Sequence, residues 1–260
     1  MLKVAIQAAL EAGRFLKENV GRIKQIERKH GQETNLVTEI DRKAEEIIIT
    51  MIKQSYPDHD FLGEESGSHQ APSEYRWVID PLDGTTNYTH GFHIYCVSIG
   101  LEVRGEIVLG AIYDPTLNEL FSAERGKGAF LNGKSIHVSG VSSLIDSMLV
   151  TGFPYIIKQN PDHAIEHFNN FLMEAQALRR LGSAAIDMCY VASGKFEGFW
   201  EVALNPWDMA AGMVIIEEAG GKITDFHGNP TTIYSKQILA SNGIVHNQLM
   251  AVLKKGMGNS

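Results

Sequence analysis

Acidic side chains recur in this sequence where a short apolar run ends or an apolar helix begins. Gly63-Glu64-Glu65-Ser66 follows Phe61-Leu62, and Asp80-Pro81-Leu82-Asp83-Gly84-Thr85-Thr86-Asn87 follows Trp77-Val78-Ile79. Asp208 opens the apolar stretch Met209-Ala210-Ala211-Gly212. Each has an ordinary explanation on its own. Glu64-Glu65 reads as surface charge, Asp83-Gly84 as a turn, and Asp208 as a helix cap or first-turn acid favoured by the helix dipole. Taken together they suggest more. Asp80, Asp83 and the Leu82 carbonyl lie within a few residues, and hard oxygen donors of this kind suit magnesium with waters completing the octahedron. Gly84 leaves an anion room to approach, and the Gly84, Thr85 and Thr86 amides stand where a helix would start, so the same turn offers N–H groups to a phosphate. Two metals about 3.5–4 Å apart could clamp the attacking and leaving oxygens of an in-line displacement.

Other reactive side chains read as bland. His90 and His93 have no converging third ligand and are expected at the surface or in packing. Cys96 and Cys189 sit in apolar runs, as core residues do. Two cysteines are too few for a disulfide framework and fit a reducing compartment, so cytoplasm is expected. Lysine and arginine number 23 against 31 aspartates and glutamates, a net charge of −8, with no long basic block. Nucleic acid is therefore not the expected main partner, because a phosphate-backbone binder clusters its cations. The first fifteen residues carry Glu11 and Arg14 and lack a cleavage pattern, so a signal peptide is not expected. No apolar run approaches the roughly 18 residues of a membrane span.

Positioning these residues requires a layered protein. Leu2, Ile6, Ala9, Leu10, Gly13 and Leu16 recur at helical spacing over 2–19, and Ile40, Ala44, Ile47, Ile48, Met51 and Ile52 form a second stripe with Thr38 as its N-cap. The polar stretch Arg22 to Asn35 reads as a connection. From Asp60 to Val150 short apolar runs suggest strands, with the Trp77 run ending at Asp80 and hairpins at Arg104-Gly105 and Asn132-Gly133. Beyond Pro161, segments over Asp162–Ala175, Ser183–Ala192, Phe196–Trp200 and Trp207–Ala219 alternate between helix and strand, followed by a strand near Ile238–Ala240 and a last helix. The expectation is an α/β layered fold, one domain over 1–260 with two intimately packed halves near 1–150 and 151–260.

The three acidic stretches resemble, in order and spacing, the signatures of the inositol monophosphatase family. The resemblance extends to Asn35-Leu36-Val37-Thr38-Glu39-Ile40-Asp41, to Leu181-Gly182-Ser183-Ala184-Ala185 and to the Glu-Ala-Gly-Gly of Glu218 to Gly221. It implies an α-β-α-β-α sandwich with mixed sheets, of the inositol monophosphatase/fructose-1,6-bisphosphatase kind. It also implies a homodimer and a lithium-sensitive enzyme working with two or three Mg²⁺.

By motif, Glu64, Asp80 and the Leu82 carbonyl would hold the first metal, and Asp80, Asp83 and Asp208 the second. A third would sit near Glu64 through water, which gives Glu64 a catalytic part. Asp41 and Thr85 resemble the pair that orients the attacking water and helps deprotonate it. Asp83, Gly84, Thr85 and Asp208 would also face the substrate, with Gly182, Ser183 and Ala184 against its ring and Glu201 accepting from its hydroxyls. Glu201 has the alternative of a surface acid at a strand edge. Lys29 falls in a loop where family members often carry a basic residue near the site.

The expected reaction is hydrolysis of a small phosphorylated polyol or sugar, myo-inositol monophosphate first. Fructose bisphosphate, NADP, histidinol phosphate and 3′-phosphoadenosine compounds are the alternatives. Thr86-Asn87 resembles the inositol branch, since the nucleotidase and histidinol branches commonly carry lysine at the Thr86 position. A binding or regulatory protein that kept the fold is the reading from another class.

Overall fold

The computed structural model describes residues 1–22, 26–28, 36–69 and 73–256. Lys29 and Asn35 lie outside the described residues. Helix α1 (Leu2–Asn19) precedes a two-stranded ribbon of β1 (Ile26–Arg28) and β2 (Leu36–Thr38), which leads into α2 (Glu39–Ser55). The small side chains Ala5, Ala8, Ala9 and Ala12 are all buried, and α1 packs closely on α2. Thr38 caps α2 as expected. Its hydroxyl accepts from the Ile40 amide at 3.1 Å, and Asp41 reaches back to the Thr38 N–H at 2.9 Å, forming a capping box.

Eight strands then make the first sheet: β3 (Asp60–Gly63), β4 (Gly67–His69), β5 (Tyr75–Asp83), β6 (Cys96–Val103), β7 (Glu106–Asp114), β8 (Glu119–Glu124), β9 (Ala129–Leu131) and β10 (Lys134–Ile136). A one-turn helix, α3 (Thr85–Thr89), interrupts them after β5. The order is β10-β9-β8-β7-β6-β5-β3-β4, antiparallel except for the β3–β5 pair. Arg104-Gly105 and Asn132-Gly133 make the two expected hairpins, with all four residues at positive φ, the backbone such tight turns need.

The second half holds β11 (Met148–Thr151), α4 (Ala164–Glu174), β12 (Ala177–Arg179), α5 (Ala184–Ala192), β13 (Gly198–Val202), α6 (Pro206–Glu218), β14 (Lys222–Thr224), β15 (Gln237–Ser241) and α7 (His246–Gly256). Its five strands run β12-β11-β13-β15-β14, parallel on one side and antiparallel on the other.

Three apolar clusters separate five layers. One lies between α1, α2 and the first sheet, a second around α5 and α6 between the sheets, and a third between the second sheet and α4 with α7. This is the α-β-α-β-α order. Helix α6 is apolar on nearly every side because both faces are covered: Met209 through Ile216 are all buried. It reaches the first sheet where β6 and β7 carry no side chain. A Cβ at Gly100 would lie 2.8 Å from the Ala210 Cβ, and one at Gly110 would lie 2.7 Å from the Ala211 Cα.

Two of the boundaries that differ from the sequence reading bear on the acids. The strand expected to end at Asp80 continues through Pro81 and Leu82 to Asp83, with its pairing to β6 shifted between Asp80 and Asp83. A proline has no N–H for the ladder and is tolerated at such an irregularity. The strand expected over Phe196–Trp200 begins two residues later, so Glu201 lies inside a strand flanked by β11 and β15. It is buried, and the surface-acid alternative falls.

Candidate active site

The parallel pairing of β3 with β5 brings the first two acidic stretches together. Gly63 stands opposite Ile79, and the Glu64 N–H donates to the Ile79 carbonyl at 3.1 Å, so Glu64 emerges beside Asp80. The continuation of β5 then presents Asp80, Leu82 and Asp83 in turn. Asp208 arrives from the second half, in the first turn of α6 behind Pro206, with its carboxylate accepting from the Asn205 N–H at 2.7 Å.

The four acids lie near enough to act on one another's charge. Burial first, then Glu64, Asp83 and Asp208, push the Asp80 carboxyl well above the ordinary range. Burial, then Glu64 and Asp83, do the same to Asp208. Asp83 is raised by burial against the pull of its donors, the Ser183 hydroxyl and the Ala185 amide, each 2.7 Å from Oδ2. Among the described residues no three His, Cys, Asp or Glu side chains form a ready-made ion cage. The candidate donors are the carboxylates of Glu64, Asp80, Asp83 and Asp208 together with the Leu82 carbonyl. That set is entirely of hard oxygen and short of positive charge, which fits magnesium with waters in the remaining positions.

Asp41 and Thr85 meet as expected. The Thr85 hydroxyl lies 3.1 Å from Asp41 Oδ1 and 3.0 Å from the Leu82 carbonyl. Asp41 is buried, and burial raises its carboxyl against the hydrogen bonds from Thr38 and Thr85. Both partners of Thr85 are acceptors, so its single proton points at them and its lone pairs remain for another donor. Gly84, at φ 97°, starts α3. A Cβ there would lie 2.8 Å from the Ile94 carbonyl, so only glycine fits.

A cavity of about 210 Å³ opens between the halves, lined by Asp83, Gly84 and Asp208 on one side and by Gly182, Ser183, Ala184 and Glu201 on the other. Gly182 sits at φ 89°, and Ser183 caps α5 by accepting from the Ile186 amide. The Glu201 carboxylate rests against Gly152, where any Cβ would overlap it. Thr85 and Asp80 do not line this cavity; both are buried beside it. His90 and His93 are exposed, and Cys96 and Cys189 are buried free thiols.

Four residues of the site escaped the sequence reading. Glu45, buried on α2, accepts from the Glu65 amide at 3.0 Å and the Ser66 amide at 2.9 Å, fixing the loop that carries Glu64. Its signal was its place one turn beyond Asp41, beside Ala44 and Ile48 on the buried face. Asp187 was an isolated acid in the apolar run of α5, and Arg180 and Tyr155 also line the cavity. The Tyr155 hydroxyl is raised by burial and by Glu64, Asp83, Asp208 and Asp80. Arg180 directly precedes the Leu181-Gly182-Ser183 stretch, a signal that could have found it, whereas nothing in the sequence near Tyr155 pointed to a cavity.

Comparison with known proteins agrees with this geometry. The model of the inositol monophosphatase family matches residues 1–257. An inositol-1-monophosphatase of Mesorhizobium japonicum is 39% identical over 98% of this chain and 96% of its own. A protein of Vibrio cholerae named Nus factor SuhB is 41% identical, over 93% of this chain and 91% of its own. The crystal structure of the extragenic suppressor protein suhB of Bartonella henselae superposes with a TM-score of 0.93 at 41% identity, covering 98% of each chain. With the family model matching nearly the whole chain and relatives 39–41% identical over more than nine-tenths of it, the chain belongs to the inositol monophosphatase family.

Proposed function

We propose that this chain is a magnesium-dependent phosphatase that releases phosphate from monoesters of small polyols, with myo-inositol monophosphate as its reference substrate. The observation that carries this reading is Asp83. Its carboxylate belongs to the acid cluster and also lines the cavity, held there by Ser183 and Ala185 of the other half. An ester seated in the cavity would thus place its phosphate against the acids and its alcohol against Gly182, Ser183, Ala184 and Glu201.

Glu64, Asp80, the Leu82 carbonyl, Asp83 and Asp208 would hold two or three magnesium ions. Bound there, magnesium supplies an acidified water and neutralises the charge of the phosphate. The protein's own residues do the rest. Asp41 holds the Thr85 proton, so Thr85 would orient the attacking water and take a proton from it while passing its own to Asp41 Oδ1, where the proton comes to rest. Gly84 lines the cavity, and the phosphate would lie against it beside the first amides of α3. In-line attack breaks the bond from phosphorus to the alcohol oxygen, with no phosphoenzyme; the alkoxide takes its proton from solvent water, and Glu201 accepts a hydrogen bond from a hydroxyl of the departing polyol. The cavity size and its polar wall also accommodate related sugar phosphates.

Family membership supports a homodimer and lithium inhibition. The unpaired Cys96 and Cys189 support a reducing compartment such as the cytoplasm. No helix among the described residues is long and apolar enough to cross a membrane. The test is phosphate release from a panel of monoesters with Mg²⁺ and with EDTA. Release from myo-inositol 1-phosphate that stops in EDTA is expected. Silence across the whole panel at millimolar Mg²⁺ overturns the reading.

The relative named as a Nus factor favours a second, compatible role on a macromolecular partner. An Asp83→Asn chain that has lost phosphatase activity yet still replaces such a factor in a cell would establish that role. Failure of both the variant and the parent chain to do so would remove it.

A further inference from the structure

Asn87 closes the stretch Asp83-Gly84-Thr85-Thr86-Asn87, yet it takes no part in the reaction described for the site. Its side-chain nitrogen donates to the Ile94 carbonyl and to the Leu181 carbonyl, each at 2.8 Å, with the Gly182 carbonyl farther off at 3.5 Å. A primary amide has two protons, and the two short bonds use both. Gly182 lies directly against the same amide. A Cβ there would stand 3.0 Å from Asn87 Nδ2 and 3.2 Å from its Oδ1.

An asparagine in a short turn ordinarily serves that turn. The bond to Ile94 is of this kind, as is the donation from the Phe92 amide to the Asn87 carbonyl at 2.8 Å. The bond to Leu181 is not. It runs from α3 in the first half to the segment between β12 and α5 in the second, 94 positions along the chain. That segment leads straight into Gly182, Ser183 and Ala184, which line the cavity across from Gly84; Asn87 is not among the lining residues. The amide thus stands behind both walls and joins them. A second tie between the walls runs through Asp83, held by the Ser183 hydroxyl and the Ala185 amide at 2.7 Å each. Asp83 is a candidate cation ligand, so an ion competes with these donors for its oxygens. The Asn87 amide is neutral and donates to carbonyls, and its hold has no such competitor.

We propose that Asn87 is a positioning residue that fixes the span between the phosphate wall and the alcohol wall, so that an ester held by its phosphate meets Gly182, Ser183 and Ala184 in register. This inference rests on the phosphatase reading. Without the amide the Leu181–Ala184 segment loses its anchor on α3. The phosphate would still find its place, but the alcohol would meet a wall at no fixed distance, and alignment of that kind carries much of an enzyme's rate.

The test sets kcat/KM for myo-inositol 1-phosphate beside competitive inhibition by inorganic phosphate, which fills the phosphate wall alone. Asn87→Ala should lower kcat/KM by about tenfold or more, while the inhibition constant of phosphate moves by less than about threefold. Asn87→Gln keeps both donors on a chain one methylene longer, so it should fold as the parent does and show the same split to a smaller degree. This variant keeps the test readable if the alanine chain misfolds. A parallel loss of kcat/KM and phosphate affinity would mean that Asn87 only builds its own turn, and that overturns the proposal. So does an unchanged kcat/KM, and so does failure of both variants to fold, which would make Asn87 a residue of the fold alone. A parent chain that releases no phosphate with Mg²⁺ present fails the phosphatase reading first, and this inference falls with it.

Discussion

Ser183 donates its hydroxyl proton to Asp83 at 2.7 Å while its oxygen accepts from the Ile186 amide at 3.3 Å. One side chain thus caps a helix of the second half and fixes an acid at the end of a strand in the first. Ser183→Ala should cost about 1 kcal/mol in stability from the lost cap. It should also lower kcat/KM by more than that loss of stability explains, because Asp83 is then held by the Ala185 amide without the hydroxyl. Urea unfolding and steady-state kinetics on the same variant check this. Equal kinetics with lowered stability would confine Ser183 to a capping role.

Asp83→Asn should nearly abolish phosphate release and leave the circular dichroism spectrum intact. An asparagine still accepts through its carbonyl oxygen but no longer brings a negative charge to the cluster. Full activity in this variant would remove Asp83 from the reaction.

Thr85→Ala should depress kcat strongly with a smaller effect on KM, since it acts on the water and not on the ester. Asp41→Asn should do the same. It should also cost about 1 kcal/mol, because Asp41 closes the capping box of α2. A change in KM alone for both variants would contradict the assigned role.

Magnesium should raise the melting temperature along a saturating curve. Asp80, Asp83 and Asp208, whose burial disfavours their charged forms, gain with the neighbouring Glu64 from cations that bind only the folded chain, by about 2.7 kcal/mol at a hundredfold excess over Kd. Asp208→Asn should blunt the rise. Glu45→Ala should shift the curve to higher Mg²⁺, because the loop bearing Glu64 loses its two anchors. A melt indifferent to millimolar Mg²⁺ would argue that these acids do not share an ion.

Acid should weaken the fold through His246. Burial, with Lys222 adding, lowers this imidazole from 6.5 to about 4, and its nitrogens lie 2.8 Å from the Ser241 hydroxyl and 2.9 Å from that of Thr224. Between those two pH values the unfolded chain carries a proton that the folded chain lacks. Stability therefore falls as pH drops through this window and is fully present above it. The raised acids of the site titrate with the opposite sign, so the reading is the difference in melting temperature between parent and His246→Gln. That difference should shrink from pH 7 to pH 4; a constant difference would place the histidine outside the acid response.

The acids and their order were legible because ligand chemistry forces particular residue types into short stretches, and the helices because their apolar stripes repeat. The parallel pairing of β3 with β5 was not legible, since nothing local to Gly63 or Ile79 specifies the partner strand. Nor was the continuation of β5 through Pro81: a proline after a strand reads as its end, and only the shifted pairing with β6 lets the strand go on. Glu45 and Asp187 hid for a different reason. Each stands alone in an apolar pattern, and an isolated acid acquires meaning only when the chain brings its distant partners beside it.

Gly100 and Gly110 act as a depth stop for α6. Because neither carries a Cβ, the helix beds directly on the strands, and the seat of Asp208 at its first turn is set by two positions that touch no substrate. An alanine at either would lift the helix by a fraction of an ångström, and misplacement of about 1 Å at a reacting centre can cost about 100-fold in rate. Thickness of the sandwich and turnover are thereby tied together. Random mutagenesis screened for lost phosphatase activity with retained expression should return these two glycines beside the acids themselves.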